Sequence, residues 1–128
     1  MEPRILDIPG LPSMVPFARS WVRAFLDMSP LAHAAELVMD ELVTNAMRHS
    51  ASGEDGGSVR VELADQGEVV RIAVSDDGPR SAPAADWTAD EAASFGRGLT
   101  IVDALSSSWG EDKDADGRCT WAEVTQPL

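Results

Sequence analysis

Three short polar motifs stand in a fixed order along this chain, Glu41-Leu-Val-Thr-Asn45, Asp76-Asp-Gly78 and Gly96-Arg-Gly98-Leu99, and they constrain its fold more than any other feature. The first lies inside a helical pattern, the second ends an alternating strand, and the third is a glycine turn opening another helix. A carboxylate, an amide and a few glycines are each commonplace. Their order is informative because helix, strand end and glycine turn each supply one part, which requires a fold that packs both kinds of element together.

The rest of the chain fits such a fold. Residues 4–8 alternate and stop at Pro9-Gly10, reading as a short edge strand. Ser13 is placed to cap a helix through about Met28, with Val15, Ala18, Val22, Phe25 and Leu26 at helical spacing. Ser29-Pro30 restarts a helix at Leu31 that runs to about Ser50. After a polar loop, strands are expected over 58–64 and 68–76, joined by a tight hairpin at Asp65-Gln66-Gly67. Residues 77–95 form a loop long enough to be a lid or binding segment. A third helix from about Gly98 to Ser106 precedes strands near 108–112 and 118–126. The expected architecture is α+β, a two-layer sandwich in which about three helices cover one face of a mixed, mostly antiparallel sheet. At 128 residues and 44% hydrophobic content, one domain spanning 1–128 is expected.

Charge and composition exclude several functions. Ten Lys and Arg against 22 Asp and Glu give a net charge of −12, which repels a phosphate backbone, and the arginines are scattered. Nucleic-acid binding is rejected on that ground. A small polyanion remains admissible, since backbone N–H groups and a metal ion bind phosphates without net basic charge. No run approaches the roughly 20 apolar residues of a membrane span, and the N-terminus has no apolar signal core. One cysteine, Cys119, rules out an internal disulfide and a cysteine-rich zinc site. A cytoplasmic protein is expected.

On the second helix, Leu31, Ala34, Val38 and Leu42 fall within about 60° of Asn45 at 100° per residue, and Glu41 is about 40° from it. Two polar groups thus sit in the core-facing stripe, where an unpaired amide and carboxylate cost several kcal/mol. Either neighbouring groups satisfy them or a ligand does. Asp76 continues the parity of Val70, Ile72 and Val74 and faces the core layer, while Asp77 points away. A carboxylate there suits a ligand's N–H donor, and Gly78 lets a flat ring approach the backbone; a simple Asp-Asp-Gly-Pro turn is the other reading. The N–H groups opening the helix after Gly96-Arg97-Gly98 favour an anion, although those glycines also serve merely to end the loop.

Taken together, the three segments resemble the N, G1 and G2 boxes of the GHKL (histidine-kinase-like) ATPase superfamily, and a stand-alone chain of this pattern resembles the bacterial anti-sigma-factor serine/threonine kinases and related regulatory ATP-binding proteins. The resemblance runs from the first helix through Trp121-Ala-Glu-Val and is sharpest at Glu41-Leu-Val-Thr-Asn45-Ala. It implies a Bergerat-type ATP-binding fold, with Glu41 as the base acting on the attacking hydroxyl and Asn45 as a Mg²⁺ ligand. It also implies that Asp76 accepts the adenine amino group beside Gly78. Gly96, Gly98 and the N–H groups of Leu99 and Thr100 would hold phosphates, Arg97 adding charge, under a lid made from residues 79–95. ATP and Mg²⁺ are the implied ligands. The implied partners are an anti-sigma factor antagonist, as the phosphorylated protein, and a sigma factor.

Arg80 stands where this pattern usually has its last glycine, and Cys119 lies where relatives commonly place an adenine-binding threonine. These departures motivate an alternative, a non-catalytic regulator whose partner affinity follows ATP occupancy. Asp112, Asp114, Asp116, Gly117 and Glu123 match an EF-hand calcium loop. The flanking helices that motif needs are not expected, and Ala115-Asp116-Gly117 reads instead as a hairpin turn. His33 and His49 are too far apart on one helix for zinc. Trp21, Trp109 and Trp121 read as core or partner-facing residues. Val43 and Met47 lie opposite Asn45, as an apolar outer face for a partner or homodimer, or as extra core.

Overall fold

The computed structural model describes residues 2–79, 100–114 and 116–125. Its sheet is ordered β1-β2-β3-β5-β4, built from Arg4–Pro9, Ser58–Asp65, Val69–Ser75, Ser106–Lys113 (β4) and Arg118–Thr125 (β5). Every neighbouring pair runs antiparallel, so the expected α+β sandwich is present with a sheet antiparallel throughout the described strands.

Period-two alternation explains why one face of this sheet is dry. Val59, Val61 and Leu63 of β2 pair in register with Ile8 of β1 and with Val74 and Ile72 of β3. Ile72 and Val70 in turn oppose Ala122 and Val124 of β5. All of these side chains are buried, forming continuous apolar rows across four strands. The intervening side chains lie on the other face, where the Arg71 guanidinium sits 5.1 Å above the Trp121 ring. Between β2 and β3, Gly67 at φ 86° permits a tight loop closed by the Gln66 N–H donating to Val69 O.

Two main helices, α1 (Val15–Phe25) and α2 (Ala32–His49), cover the dry face, and residues 100–105 form the described part of a third, α3. Ser13 does not cap α1. It lies in a 3₁₀ turn, Pro12–Met14, and α1 starts from Met14 with no side-chain cap. The helix also stops short of Met28, which adopts φ 71° with its side chain exposed while Leu26 beside it is buried. Ser29 does not cap α2, whose N-cap is Leu31 without a side-chain cap; the Ser29 Oγ accepts from the Leu31 N–H at 3.2 Å in the turn before the helix.

α2 is buried on more than one side because the sheet lies beneath it and α1 packs alongside. Leu42, Val38 and Ala35 join the core, but so do Val43 and Met47, at 0% and 4% exposure. The apolar outer face expected of Val43 and Met47 is therefore absent; they are core, and the homodimer surface drawn from them has no exposed residues to form it. Opposite the sheet, buried Glu36 accepts from Arg19 Nε at 3.0 Å and has Arg23 Nε at 3.6 Å, tying α1 to α2. Trp21 packs on the core and stacks with Phe25; Trp109, also against the core, donates Nε1–H to Asp103. Among the described residues, no helix is long and apolar enough to cross a membrane.

Candidate functional site

The site is built where three chain turns meet at one end of the strands, beside β3 and β5 in the middle of the sheet. β3 ends at Ser75, and the next residue, Asp76, turns its carboxylate into the layer beneath the helices, its side chain 4% exposed. Its Oδ1 accepts from the N–H of Gly78 at 2.9 Å and of Arg118 at 3.0 Å, while its own N–H donates to Arg118 O. Its Oδ2 faces Arg118 Nε at 3.3 Å. Asp77 takes the opposite direction, accepting from the Ser58 N–H, as the strand parity predicts.

The chain leaving α2 is stitched to this strand end. Ser50 closes the helix by donating its hydroxyl to Ala46 O and accepting from the Ser52 N–H. The Ala51 N–H then donates to Gly78 O at 2.8 Å, and the Ser52 hydroxyl accepts from the Asp77 N–H. A side chain on Gly78 would crowd the neighbouring turn. At φ 89° Gly78 passes against the β4–β5 turn, where an added Cβ would sit 3.3 Å from Asp116 O. Gly117 is tighter still, with a Cβ position 2.3 Å from Asp76 O.

The three turns enclose an open cleft of about 260 Å³, lined by His49 and Ser50 from α2, Asp76 and Gly78 from the end of β3, and Lys113, Gly117 and Arg118 from the β4–β5 hairpin. The EF-hand spacing folds as that hairpin. Asp114 Oδ1 accepts from the Asp116 and Gly117 N–H groups, so this carboxylate organises a turn between two strands.

Asn45 and Glu41 are not in the cleft wall. They lie one and two turns before His49 along the same side of the helix. Asn45 is 6% exposed, and its Oδ1 has no hydrogen-bond partner among the described residues. A buried amide oxygen left unsatisfied costs about 1–3 kcal/mol, so it is an acceptor held ready for a donor or cation. Glu41 is half-buried. Desolvation raises its pKa above the ordinary carboxylate value, the neighbouring Asp40 charge adds to the rise, and Arg48 opposes it. Asp40 is raised too, chiefly by desolvation.

The structure thus brings the end of the Glu41/Asn45 helix together with Asp76 and Gly78. Gly96, Arg97, Gly98, Leu99, Arg80, Trp87 and most of the lid span 79–95 lie outside the described residues. Thr100, the first described residue of α3, is exposed. The residue that meets Asp76 is Arg118, not Cys119. Cys119 has the parity of Trp121 and opposes Ser75 and Asp112, which puts its side chain on the far face of the sheet. Counting by twos back from Val124 and Ala122 would have placed Arg118 on the Asp76 face.

Comparison with known proteins agrees with this geometry. The model of the histidine kinase-like ATPase domain matches residues 8–124. No curated protein matches the sequence. Among solved structures, the chain is similar to the RsbU and RsbW domains of Rv1364c from Mycobacterium tuberculosis, at a TM-score of 0.61 and 21% identity over 97% of this chain. It covers 33% of that longer chain, and the likeness is one of fold. Since the family pattern runs from β1 to β5 and takes in both α2 and the Asp76 strand end, the chain belongs to the histidine kinase-like ATPase family, whose domain implies ATP binding.

Proposed function

We propose that this protein is an ATP-dependent serine/threonine kinase that phosphorylates an anti-sigma factor antagonist and binds a sigma factor in the cytoplasm. The observation that carries the reading is the Glu41/Asn45 pair, a half-buried carboxylate of raised pKa one turn from a buried amide oxygen with no partner among the described residues. A raised pKa brings a carboxylate nearer the working range of a general base. Glu41 takes the proton of the attacking hydroxyl, whose oxygen forms a bond to the γ-phosphorus as the bond to the ADP oxygen breaks. Asp76 and Gly78 receive the adenine end, and Gly96, Arg97, Gly98, Leu99 and Thr100 hold the phosphates.

The oxygen donors fit Mg²⁺, a hard cation that accepts amide and carboxylate oxygens, with Asn45 Oδ1 as the protein ligand. Bound there, the ion would neutralise phosphate charge against an acidic protein. The test is phosphoserine or phosphothreonine formation on an antagonist protein in the presence of labelled ATP and Mg²⁺, with Glu41→Ala as control. The reading expects transfer by wild type, and a loss of about 100-fold or more in Glu41→Ala with ATP affinity retained. ATP binding without any transfer, together with nucleotide-dependent capture of the partner, would establish the non-catalytic regulator instead.

A further inference from the structure

Asp76 is the candidate acceptor for the nucleobase, yet both its oxygens are already engaged. Oδ1 holds two backbone N–H groups, which cannot leave without breaking the strand end. Among the described residues, Oδ2 faces the Arg118 side chain, at 3.3 Å. Arg118 has a second place to go, because its Nη1 lies 3.7 Å from Glu111 Oε1 on β4, and its side chain remains 21% exposed at the cleft wall. A guanidinium between two carboxylates can exchange one for the other at small net cost where an incoming N–H donor takes its place on the buried carboxylate and the second carboxylate keeps its charge paired.

Resting on the nucleotide reading above, we infer that Arg118 is a positioning residue that competes with the nucleobase amino group for Asp76 Oδ2, and that base entry transfers Arg118 to Glu111. Glu111 then serves as the acceptor that makes the exchange possible. The competition sets how tightly the cleft takes the base, independently of the phosphates.

The test uses adenosine, which has no phosphates for Arg118 to attract, titrated into the ¹⁵N-labelled full chain and followed by amide shifts, with ATP and Mg²⁺ titrated in parallel. Arg118→Met keeps the apolar stem and removes the charge. It is expected to tighten adenosine binding about three- to five-fold, the factor matching a partly exposed ion pair. Glu111→Gln removes the alternative partner and is expected to weaken adenosine binding, while Arg118→Lys stays near wild type. A purely structural pair would lower thermal stability in both variants but could not move affinity in opposite directions. Equal adenosine affinities across wild type, Arg118→Met and Glu111→Gln, with Asp76→Asn abolishing binding, would overturn the competition and leave the nucleotide reading intact. Failure of every variant to bind either adenosine or ATP would remove the nucleotide reading, and the competition with it.

Discussion

Replacing Asp76 tests whether the strand end and the ligand acceptor are the same group. In Asp76→Ala, the Gly78 and Arg118 N–H groups lose their shared acceptor at a position only 4% exposed. Each buried donor left unpaired costs about 1–3 kcal/mol, giving about 4 kcal/mol for the two. For 128 residues the unfolding entropy near Tm is about 0.27 kcal/mol/K, so each kcal/mol moves Tm by about 4 °C and the expected loss is about 15 °C. Asp76→Asn behaves differently. Its amide oxygen still accepts both backbone N–H groups, so the variant forfeits the ion pair with Arg118, about 1 kcal/mol, and leaves one N–H₂ donor poorly paired, about 1 kcal/mol more, a loss of about 7 °C. It also puts an N–H₂ donor where the nucleobase presents its own, so ATP binding should be lost in a protein that keeps about half of the stability forfeited by Asp76→Ala. Thermal unfolding by circular dichroism and calorimetry with ATP and Mg²⁺ measure the two effects separately. The reasoning is refuted if Asp76→Ala melts within about 4 °C of wild type, or if both variants lower Tm equally.

Two further substitutions probe the neighbouring elements. Because burial raises the Glu41 pKa, the folded chain keeps that proton at pH values where the unfolded chain has released it, so stability is lost as pH rises from the ordinary carboxylate value through the raised one. Glu41→Gln should therefore melt higher than wild type at pH 7, with the difference closing as pH falls to about 4; a pH-independent difference in paired melts would rule this out. Gly117→Ala places a methyl 2.3 Å from Asp76 O and 3.1 Å from Gly78 N. It should cost about 1–3 kcal/mol through backbone displacement and shift the Asp76, Gly78 and Arg118 amide resonances, whereas unchanged shifts would mean the two turns do not touch.

How far the fold could be read in advance depended on how many faces an element buries. The β2–β3 hairpin and the inward aim of Asp76 were legible because a strand with one wet face alternates cleanly, and parity extends one residue past its end. α2 was legible in extent but not in its surroundings. A single-stripe reading leaves Val43 and Met47 outside, yet a helix between a sheet and another helix buries two stripes. The Ser13 cap failed because the chain enters α1 through a proline-led 3₁₀ turn, with Pro16 in the first helical turn supplying the start that a side-chain cap would have given. Arg118 is not legible from the motif position at Cys119, because an offset of one residue on a strand moves a side chain to the opposite face of the sheet.

The division of labour between the two Asp76 oxygens gives a physical reason for a carboxylate at this position. A hydroxyl has a single oxygen, and an amide has a single acceptor and would present donors to Arg118. Only a carboxylate can fix the turn through Oδ1, where two backbone N–H groups converge, and still offer a second acceptor toward the cleft. The first set of bonds is local and cannot exchange without opening the β3–β5 end. The second is to a long side chain that already reaches another acidic partner. On the nucleotide reading proposed above, the base is expected to be read through Oδ2, and substitutions that change affinity without melting the strand end should map to Arg118 and Glu111 rather than to Gly78 or Gly117.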